Sequence, residues 1–401
     1  MALLHIPLNQ IDEARLQTLI DAGAAESRTI DYKRASYGTA HADYSEFLAD
    51  VSSFANTSGG DLVLGMEATN GIPTAFAPLT MPMDSEILRL EQVARGGLQP
   101  RVANIVFKPV PIGTGGGNVL IVRVPRSYNS PHRVIRQGGN RFWARSAAGK
   151  YEPDVNELRT LFNAGPQIAE RIRNFRLDRI AKIAAAQAPV QLLNGGSLVL
   201  HIVPLSAFDR TASLSLRQIE RNWQSFAPIG SSTANGARVN FDGILKTSNA
   251  NQRATEQRAY VQLYRNGIIE TVASSLAGGS PENPIIFNLD DVIIGGVLRS
   301  LRDLVTVGVE PPYALLVSLV GVAGAQFSFS RGHAYQWSDD LGESLDRDQY
   351  HFDEVIFETI PSNQADCAGV IRPILDQMAN AGGKAMSPIF DDQGRYIAPG
   401  R

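Results

Sequence analysis

Two carboxylates and an amine lie close together near the start of the chain. Glu26 and Asp31 are five residues apart, and Lys33 follows two residues later. Paired carboxylates can hold a hard divalent cation through oxygen ligands, and a nearby lysine can stabilise the charge that develops on a phosphate under attack. The three residues indicate phosphate chemistry, although by spacing alone a solvated strand with surface ion pairs is the more common arrangement.

A strongly basic segment follows later in the chain. Between Gln92 and Tyr151 there is no Asp or Glu. The segment carries eight arginines and two lysines, namely Arg95, Arg101, Lys108, Arg123, Arg126, Arg133, Arg136, Arg141, Arg145 and Lys150. Clusters rich in arginine suit forked contacts with phosphate oxygens, so the segment predicts polyanion binding. The alternative is a basic face that acidic residues elsewhere in the chain balance.

An aromatic residue lies between two of these arginines. Arg141, Trp143 and Arg145 alternate along a predicted strand, which would place the indole between two guanidinium groups on one face. Such a face can stack a base and hold the flanking phosphates, whereas burial of Trp143 in the core is the competing interpretation. The candidate nucleic-acid contacts are therefore Arg101, Arg133, Arg136, Arg141, Trp143 and Arg145.

Composition and motifs argue against several other functions. The net charge of −3 argues against a protein that coats nucleic acid indiscriminately, and the single cysteine, Cys367, excludes an intramolecular disulfide and a cysteine-based zinc cage. The six histidines include no HExxH pair, and no G-x-S-x-G nucleophile motif occurs. Gly59-Gly60 is not followed by Lys-Ser or Lys-Thr, so it does not resemble the phosphate loop of a nucleotide hydrolase.

The elements around Glu26 determine whether its carboxylate can reach Asp31. A strand is predicted from Ser27 to Lys33. Side chains an odd number of residues apart point to opposite faces of a strand. Glu26 must therefore lie in the turn before the strand, or a bulge must intervene, for the two carboxylates to converge.

A helix and a second strand are predicted next. Asn9 can cap an earlier helix, and Asp43 and Glu46 have capping-box spacing. This second helix has one apolar face, made by Tyr44, Phe47, Leu48, Val51 and Phe54. The glycines at 59 and 60 break it, and alternation then predicts one strand through Leu62, Leu64 and Met66 before a turn at Asn70-Gly71.

The order of the remaining elements indicates two α+β units. A capping box from Asp154 to Glu157 opens a short helix that Gly165-Pro166 ends, and a basic helix follows. Strands are predicted at 197–203, 259–264, 268–272, 285–287, 313–322 and 355–360, helices at 289–307 and 370–378, and a type I′ turn at Asn266-Gly267. We expect a mixed sheet with helices at 1–165, a basic linker helix at 166–190, and a strand-rich α+β domain with a sensor or partner-binding role at 191–401.

Four motifs in the first domain occur in a recognisable order. They are Glu26-Ser-Arg-Thr-Ile-Asp-Tyr-Lys33, Phe54-Ala-Asn-Thr-Ser-Gly-Gly60, Leu62-Val-Leu-Gly-Met-Glu67 and Asn70-Gly71-Ile72-Pro73. Together they resemble the Schlafen AlbA-like domain, which typically shows an ES…EFK strand, an FAN-x-x-GG turn and a GV-acid-acid-x-G strand end. The similarity continues through Pro131-His132 and Arg141-Phe-Trp-Ala-Arg145 to Glu157-Leu-Arg-Thr-Leu-Phe162.

The resemblance implies a three-carboxylate site for Mg²⁺ or Mn²⁺ and endoribonuclease activity, with tRNA among the substrates. Carried over by motif, Glu26 and Asp31 match the first two acids, and Lys33 matches the lysine. Ala68 occupies the position of the third acid. Glu67 is then the candidate third metal ligand, with Asp61 on the same predicted strand face as the alternative, and Lys33 would stabilise the transition state.

Two functions follow from these observations. The first is a metal-dependent endoribonuclease of Schlafen type that acts on structured RNA such as tRNA, with antiviral defence as a setting suggested by analogy. The second is a non-catalytic regulatory module that binds RNA or DNA, which the alanine at position 68 favours. We also expect a cytoplasmic protein without membrane association, because the sequence has no secretory signal and no apolar run of ~18 residues. Strand edges allow a homo-oligomer.

Overall fold

The chain divides into two compact units, Met1–Gln167 (unit 1) and Ile168–Arg401 (unit 2). The structure is a computed structural model. It describes residues 3, 6–113, 116–209, 213–222, 226–231, 235–248, 255–280, 282–329 and 340–397. Both units combine helices with β-sheets, so the predicted α+β class is confirmed.

Unit 1 is built around a four-stranded sheet. Its helices are α1 (Glu13–Asp21), α2 (His41–Ala55), α3 (Met83–Gly97) and the first part of α4 (Val155–Ala184). Its strands are β1 (Ile30–Lys33), β2 (Gly60–Leu64), β3 (Met66–Thr69), β4 (Ile72–Phe76), β5 (Leu98–Gln99), β6 (Val106–Ile112), β7 (Gly117–Val124), β8 (Arg133–Val134), β9 (Arg141–Phe142), β10 (Ala144–Ser146) and β11 (Gly149–Tyr151). The main sheet has the order β1-β2-β7-β6, with β1 parallel to β2, while β3–β4, β5-β8-β9 and β10–β11 form smaller sheets.

Helices cover both faces of the main sheet of unit 1. On one face Leu62 and Leu64 of β2 pack with Phe47 and Phe54 of α2, and on the other face Val63 packs in the cluster that contains α1. All five residues of β2 are buried. A central strand covered on both faces needs a continuous apolar run, which explains the sequence of β2 after Asp61.

The strand predicted through Leu62, Leu64 and Met66 is interrupted, and this prediction is wrong. Gly65 has a φ of +94°, which ends β2, and the chain leaves the main sheet to form the β3–β4 hairpin. The hairpin turn at Asn70-Gly71 has positive φ at both residues, as a type I′ turn requires. Because of the break at Gly65, Asp61 and Glu67 do not belong to one strand face.

The first two helices of unit 1 begin at other residues than predicted. Asp12, not Asn9, caps α1, because its carboxylate accepts a hydrogen bond from the Arg15 amide at 2.8 Å. Helix α2 begins two residues before Asp43, whose side chain accepts from the Ala40 amide at 3.1 Å. In both cases a carboxylate still satisfies free amide groups of the first turn.

Helix α4 starts as predicted but does not end at Pro166. The Asp154 carboxylate accepts from the Glu157 amide at 2.8 Å, and Glu157 accepts in return from the Asp154 amide at 2.9 Å, which confirms the capping box. The helix then continues to Ala184 with Pro166 inside it. A proline removes one hydrogen bond of a helix, and the bonds of the flanking turns can carry the helix past it. The predicted linker helix at 166–190 is therefore the second part of α4.

Unit 2 is built on a sheet with the order β14-β15-β17-β18-β13-β21, in which β24 and β25 both pair with β21. Its helices are the second part of α4, α5 (Leu216–Asn222), α6 (Leu289–Thr306) and α7 (Gln364–Ala381). Its strands are β12 (Gln191–Leu192), β13 (Ser197–Pro204), β14 (Asn235–Val239), β15 (Gly243–Thr247), β16 (Glu256–Gln257), β17 (Ala259–Tyr264), β18 (Ile269–Ser274), β19 (Ala277–Ser280), β20 (Asn283–Ile286), β21 (Tyr313–Val320), β22 (Gln326–Ser328), β23 (Leu341–Ser344), β24 (Gln349–His351) and β25 (Val355–Phe357).

Apolar side chains of α6 and α7 cover one face of this sheet, and Ile172, Ile180 and Ile183 of α4 cover the other.

The β17–β18 hairpin forms where the sequence predicted it, but its turn is not type I′. Gly267 has a φ of +86°, whereas Asn266 is not among the described residues with positive φ. A type I′ turn needs positive φ at both positions. The Tyr264 amide instead donates to the Ile268 carbonyl at 2.8 Å, which closes a three-residue loop in which Gly267 has the positive φ. None of the described helices is long and apolar enough to cross a bilayer.

Candidate functional site

Glu26 lies in the turn before β1, where the spacing argument required it. The Ser27 amide donates to the Ile30 carbonyl at 3.0 Å, which turns the chain, and the Tyr32 amide donates to Glu26 Oε1 at 3.0 Å. The Glu26 carboxyl thereby reaches hydrogen-bonding contact with Asp31. Partial burial raises the pKa of Glu26, and the bond to Asp31 raises it further. The two carboxyl groups that sequence spacing singled out therefore do converge.

Asp31 is buried and faces two cations. Its Oδ2 lies 2.9 Å from Arg145 Nη2, and both of its oxygens lie 3.4 Å from Lys33 Nζ. Burial acts to raise the pKa of Asp31, but the Arg145 charge, the bond to Glu26 and the Lys33 charge together outweigh burial and lower it. Asp31 is held as a carboxylate.

A second buried carboxylate, Asp50 of α2, completes the group. Its Oδ1 lies 2.9 Å from Lys150 Nζ and 3.8 Å from Arg145 Nη1, and its Oδ2 accepts a hydrogen bond from the Tyr37 hydroxyl at 2.7 Å. Lys33 Nζ is 4.0 Å from the same Oδ2. We call Asp31, Asp50, Lys33, Arg145 and Lys150 the inner charge cluster. Sequence reasoning missed Asp50, although its position three residues after Phe47 and four before Phe54 places a carboxylate on the buried face of α2.

The glycine turn after α2 fixes the surroundings of Arg145. The Arg145 guanidinium lies 4.5 Å from the centre of the Phe54 ring, and its Nε donates to the Ser27 carbonyl at 3.2 Å. A Cβ on Gly60 would come within 2.3 Å of the same ring, and Gly59 has a φ of +69°. Glycine is therefore required at 60 so that Phe54 can lie beneath Arg145.

Asn56 of the same turn ties the chain segment that carries Arg145 to α2. Its Nδ2 donates to the carbonyls of His132 and Trp143, each at 2.9 Å, and its Oδ1 accepts from the His132 amide at 2.7 Å. The His132 side chain is fully buried with Nδ1 2.7 Å from the Pro100 carbonyl, and burial lowers its pKa. Asn56 and His132 therefore act as structural supports of the site.

Several residues of the basic segment are bound inside unit 1. Arg123 makes two bonds to the buried Asp61, at 2.7 and 3.0 Å, Lys108 donates to the Leu8 carbonyl, and Lys150 also pairs with Glu46. For Arg123 and Lys150 the alternative interpretation, balance by acidic residues elsewhere in the chain, is the one observed. The acids lie between residues 31 and 61, which explains why the basic segment needs none of its own.

Residues 26–154 match the family model described as Schlafen, AlbA_2. The recognition of this segment from the sequence is confirmed, and the match contains every candidate site residue. Among solved structures, part of the chain is similar to the DIP2311 protein from Corynebacterium diphtheriae, with 20% identity and a TM-score of 0.25. That similarity covers 38% of this chain and 29% of the other chain. A comparison with curated proteins finds no match.

The third carboxylate expected from the Schlafen AlbA_2 resemblance does not join Glu26 and Asp31. Glu67 lies on β3, is about half exposed, and has Arg34 Nη1 at 3.9 Å. Asp61, the alternative, has both oxygens bonded to Arg123. Within the part of the chain that the structure describes, no three His, Cys, Asp or Glu side chains are grouped so as to hold a metal ion. The residues present thus do not fit a divalent metal held by Glu26, Asp31 and Glu67.

The stacking face predicted in the AlbA_2 segment is not formed either. Strand β9 ends at Phe142 and β10 begins at Ala144, so Arg141, Trp143 and Arg145 do not lie on one continuous strand. Arg145 is only 4% exposed, and the half-buried Trp143 packs against the core that contains α2. Arg141 is exposed beside Glu152, at 3.4 Å. The interruption comes from Asn56, which takes the Trp143 carbonyl out of sheet pairing.

The other predicted contacts lie nearer the surface of the AlbA_2 segment. Arg101 is exposed, while Arg133 bonds to Gln99 and Asn140 at 2.7 and 3.0 Å. Arg136 lies over the ring of Tyr44 at 4.4 Å. These residues keep donors available for phosphate oxygens, because none of these contacts is an ion pair.

Proposed function

We propose that unit 1 binds nucleic acid through phosphate contacts centred on Lys33. The observation that carries this proposal is the position of the Lys33 amine, whose side chain is 32% exposed and lies 3.4 Å from Asp31 and 4.0 Å from Asp50. Burial acts to lower the pKa of Lys33, but Asp50 and Asp31 outweigh it and raise the pKa, so the amine stays charged. A fixed ammonium at the surface is a suitable partner for a phosphate oxygen.

Surface arginines extend this centre. Arg34, next to Lys33 in the chain, has a side chain that is 75% exposed. A series of contacts leads from Asp50 through Tyr37 and Arg89 to Tyr44, over which Arg136 lies. The match to the Schlafen AlbA_2 family, which is related to nucleic acids, supports the same partner class. We propose RNA, tRNA in particular, as the ligand and DNA as the alternative.

Binding of labelled tRNA and labelled duplex DNA, measured by fluorescence anisotropy at several salt concentrations, tests this proposal. We expect Arg101→Ala, Arg133→Ala, Arg136→Ala and Arg141→Ala each to weaken binding and to lower the slope of log K against log salt by about 1. Arg159→Ala, which changes an exposed arginine of unit 1 outside the candidate set, is the matched control. Affinities that do not differ between the four variants and this control would contradict the proposal.

Endoribonuclease activity is the second candidate function, and the contact between Glu26 and Asp31 favours it. A carboxyl with a raised pKa can exchange a proton with a ribose hydroxyl or a leaving oxygen, and Lys33 beside it can stabilise the phosphorane charge. We propose that Glu26 and Asp31 form the site at which structured RNA such as tRNA is cleaved. No step is assigned to Mg²⁺ or Mn²⁺, because the carboxylates present do not form the three-ligand set.

Incubation of the protein with tRNA, followed by a denaturing gel, tests the second candidate. We expect Glu26→Gln and Asp31→Asn to abolish cleavage, and Glu67→Gln, which changes the acid that lies apart, to leave it unchanged. Reactions with Mg²⁺, Mn²⁺ or EDTA show whether a metal is needed. If Glu67→Gln abolishes cleavage as well, the three-carboxylate arrangement forms in the complex with RNA, and our assignment to the pair alone is wrong.

A further inference from the structure

Two buried carboxylates from separate elements meet the same guanidinium. Asp31 comes from β1 and Asp50 from α2, and Arg145 of β10 lies 2.9 Å from the first and 3.8 Å from the second. Lys33 pairs with Asp31 at 3.4 Å, and Lys150 pairs with Asp50 at 2.9 Å. Arg145 is 4% exposed, and its buried Nη1, which has no hydrogen-bond partner, faces Asp50 at 3.8 Å.

Charge balance explains what Arg145 does there. Buried carboxylates are stable only when a cation or several hydrogen-bond donors compensate them, and a divalent ion bound by oxygen ligands is one common way to compensate two of them. In the inner charge cluster three protein cations lie around Asp31 and Asp50. They outweigh burial at Asp31, whose pKa is lowered, whereas burial of Asp50 outweighs Lys150 and Lys33 and raises its pKa. A divalent ion added between these carboxylates would have to displace or repel the guanidinium.

We infer that Arg145 is a built-in countercharge that takes the place of a divalent cation between Asp31 and Asp50, so that the site of unit 1 is complete without a metal. This inference concerns the site on which the proposed function rests. Arg145 is then a positioning residue, not a contact of the nucleic acid. It holds Asp31 in place, and Asp31 in turn holds the partly exposed amine of Lys33.

Unit 1 also contains a second arginine, Arg123, that pairs with a buried carboxylate. It serves as the control for Arg145. Asp61 is fully buried, and among the described residues its carboxylate is bonded to Arg123, which lies directly opposite it on the neighbouring strand β7. Removing Arg123 leaves Asp61 without its ion-pair partner, and removing Arg145 takes from Asp31 the nearer of its two cations, so both changes are destabilising. Only the removal of Arg145 leaves two carboxylates facing the vacated space. Two carboxylates are a usable divalent site, whereas one is a poor site.

Titration with Mn²⁺ in the absence of nucleic acid tests the inference. Free Mn²⁺ is followed by electron paramagnetic resonance, and the melting temperature of each protein is measured with and without Mn²⁺. For the wild type we expect no Mn²⁺ bound at this site. Arg145→Met and Arg123→Met are both expected to melt at lower temperature, and Mn²⁺ should raise the melting temperature of Arg145→Met alone, by about 4 °C at saturation.

Two results would overturn the inference. One is a wild type that binds one Mn²⁺ which Asp31→Asn loses, since the site would then take a metal despite Arg145. The other is an equal response of the two methionine variants to Mn²⁺. If Arg145→Met does not fold, the comparison of the wild type with Asp31→Asn still decides. Failure of tRNA binding would overturn the proposed function and would leave the Mn²⁺ titration unaffected.

Discussion

Each unit buries a cluster of charged groups, and in the part of the chain that the structure describes the cluster of unit 1 has the more exposed member, Lys33 at 32% against Arg179 at 11%. In unit 2 the carboxylate of Glu270 is fully buried and accepts hydrogen bonds from Arg179, His201 and Tyr260 at 2.7–2.9 Å. Its two oxygens are saturated by these donors. In unit 1 the amine of Lys33 is held by two carboxylates and remains partly exposed. Burial of charge is thus common to both units, and an incompletely used charge at the surface distinguishes the candidate site.

The cluster of unit 2 has a structural explanation. Arg179 belongs to α4, Glu270 to β18, His201 to β13 and Tyr260 to β17. The carboxylate therefore connects one helix to three neighbouring strands, on the face of the sheet that α4 covers. Such a network fixes the position of α4, and among its described members only Arg179 is exposed, at 11% of its side chain.

Glu270→Gln should give the largest effect of the changes that test this contrast. The substitution removes the charge that compensates the buried Arg179, so we expect the free energy of unfolding of unit 2 to fall by about 3–5 kcal/mol. Urea unfolding followed by circular dichroism measures it. Glu310→Gln, at an exposed position of the same unit, should change it by less than about 0.5 kcal/mol. If the Glu270→Gln protein is as stable as this control, the cluster does not stabilise unit 2.

The pH dependence of unit 2 should follow from the same carboxylate. Burial acts to raise the pKa of Glu270, but the bonds from His201 and Arg179 outweigh burial and lower the pKa to about 2. A lowered pKa in the folded state means stability that is present above the unfolded value, about 4.5, and is lost as the pH falls toward 2. We expect about 3 kcal/mol to be lost in that interval.

Measuring the free energy of unfolding between pH 6 and pH 2 checks this expectation, with Glu270→Gln as the comparison. The variant carries no titrating group at this position, so its curve should be flatter by the same amount. Parallel curves for the two proteins would show that other carboxylates cause the acid sensitivity.

Local patterns in the sequence predicted much of what positions the site. The odd spacing of Glu26 and Asp31 required a turn before β1, and the turn is present. The capping box at Asp154 and the hairpins at Asn70-Gly71 and residues 266–267 also form, because each depends on neighbouring residues only.

The features that the sequence did not predict depend on long-range contacts. Asp61 pairs with Arg123 because β2 and β7 place them directly opposite each other, a register that no local pattern contains. Arg145 is buried because Phe54 and Asp31, both distant in the chain, surround it. Gly65 interrupts a sequence whose apolar residues alternate as in a strand. Its positive φ follows from the turn of the chain into the β3–β4 hairpin, which the alternation does not indicate.

Gly60→Ala should disturb the cluster of unit 1 without touching any charge. The added Cβ would approach the Phe54 ring to 2.3 Å and the Thr29 carbonyl to 2.8 Å, so the ring must move from beneath Arg145. Overpacking of this kind costs about 1–3 kcal/mol, which a thermal melt would detect as a lower melting temperature. Gly96→Ala, in α3 where the added Cβ would point into open space, should instead stabilise by about 0.5–1 kcal/mol. Equal effects of the two changes would show that Phe54 does not need its present position.

Lys33→Met tests whether the exposed amine of the unit 1 cluster binds phosphate. Its expected effect on the free energy is the smallest of these changes. Asp31 keeps Arg145, and Asp50 keeps Lys150 and Tyr37, so the variant should fold, whereas its affinity for tRNA should fall about tenfold and the salt slope by about 1. Lys182→Met, which removes an exposed lysine paired with Asp178 in unit 2, is the control. Anisotropy titrations of both variants measure the difference. If Lys33→Met binds tRNA as the wild type does, the amine is not a phosphate contact, and the cluster of unit 1 supports the fold in the same way as the cluster of unit 2.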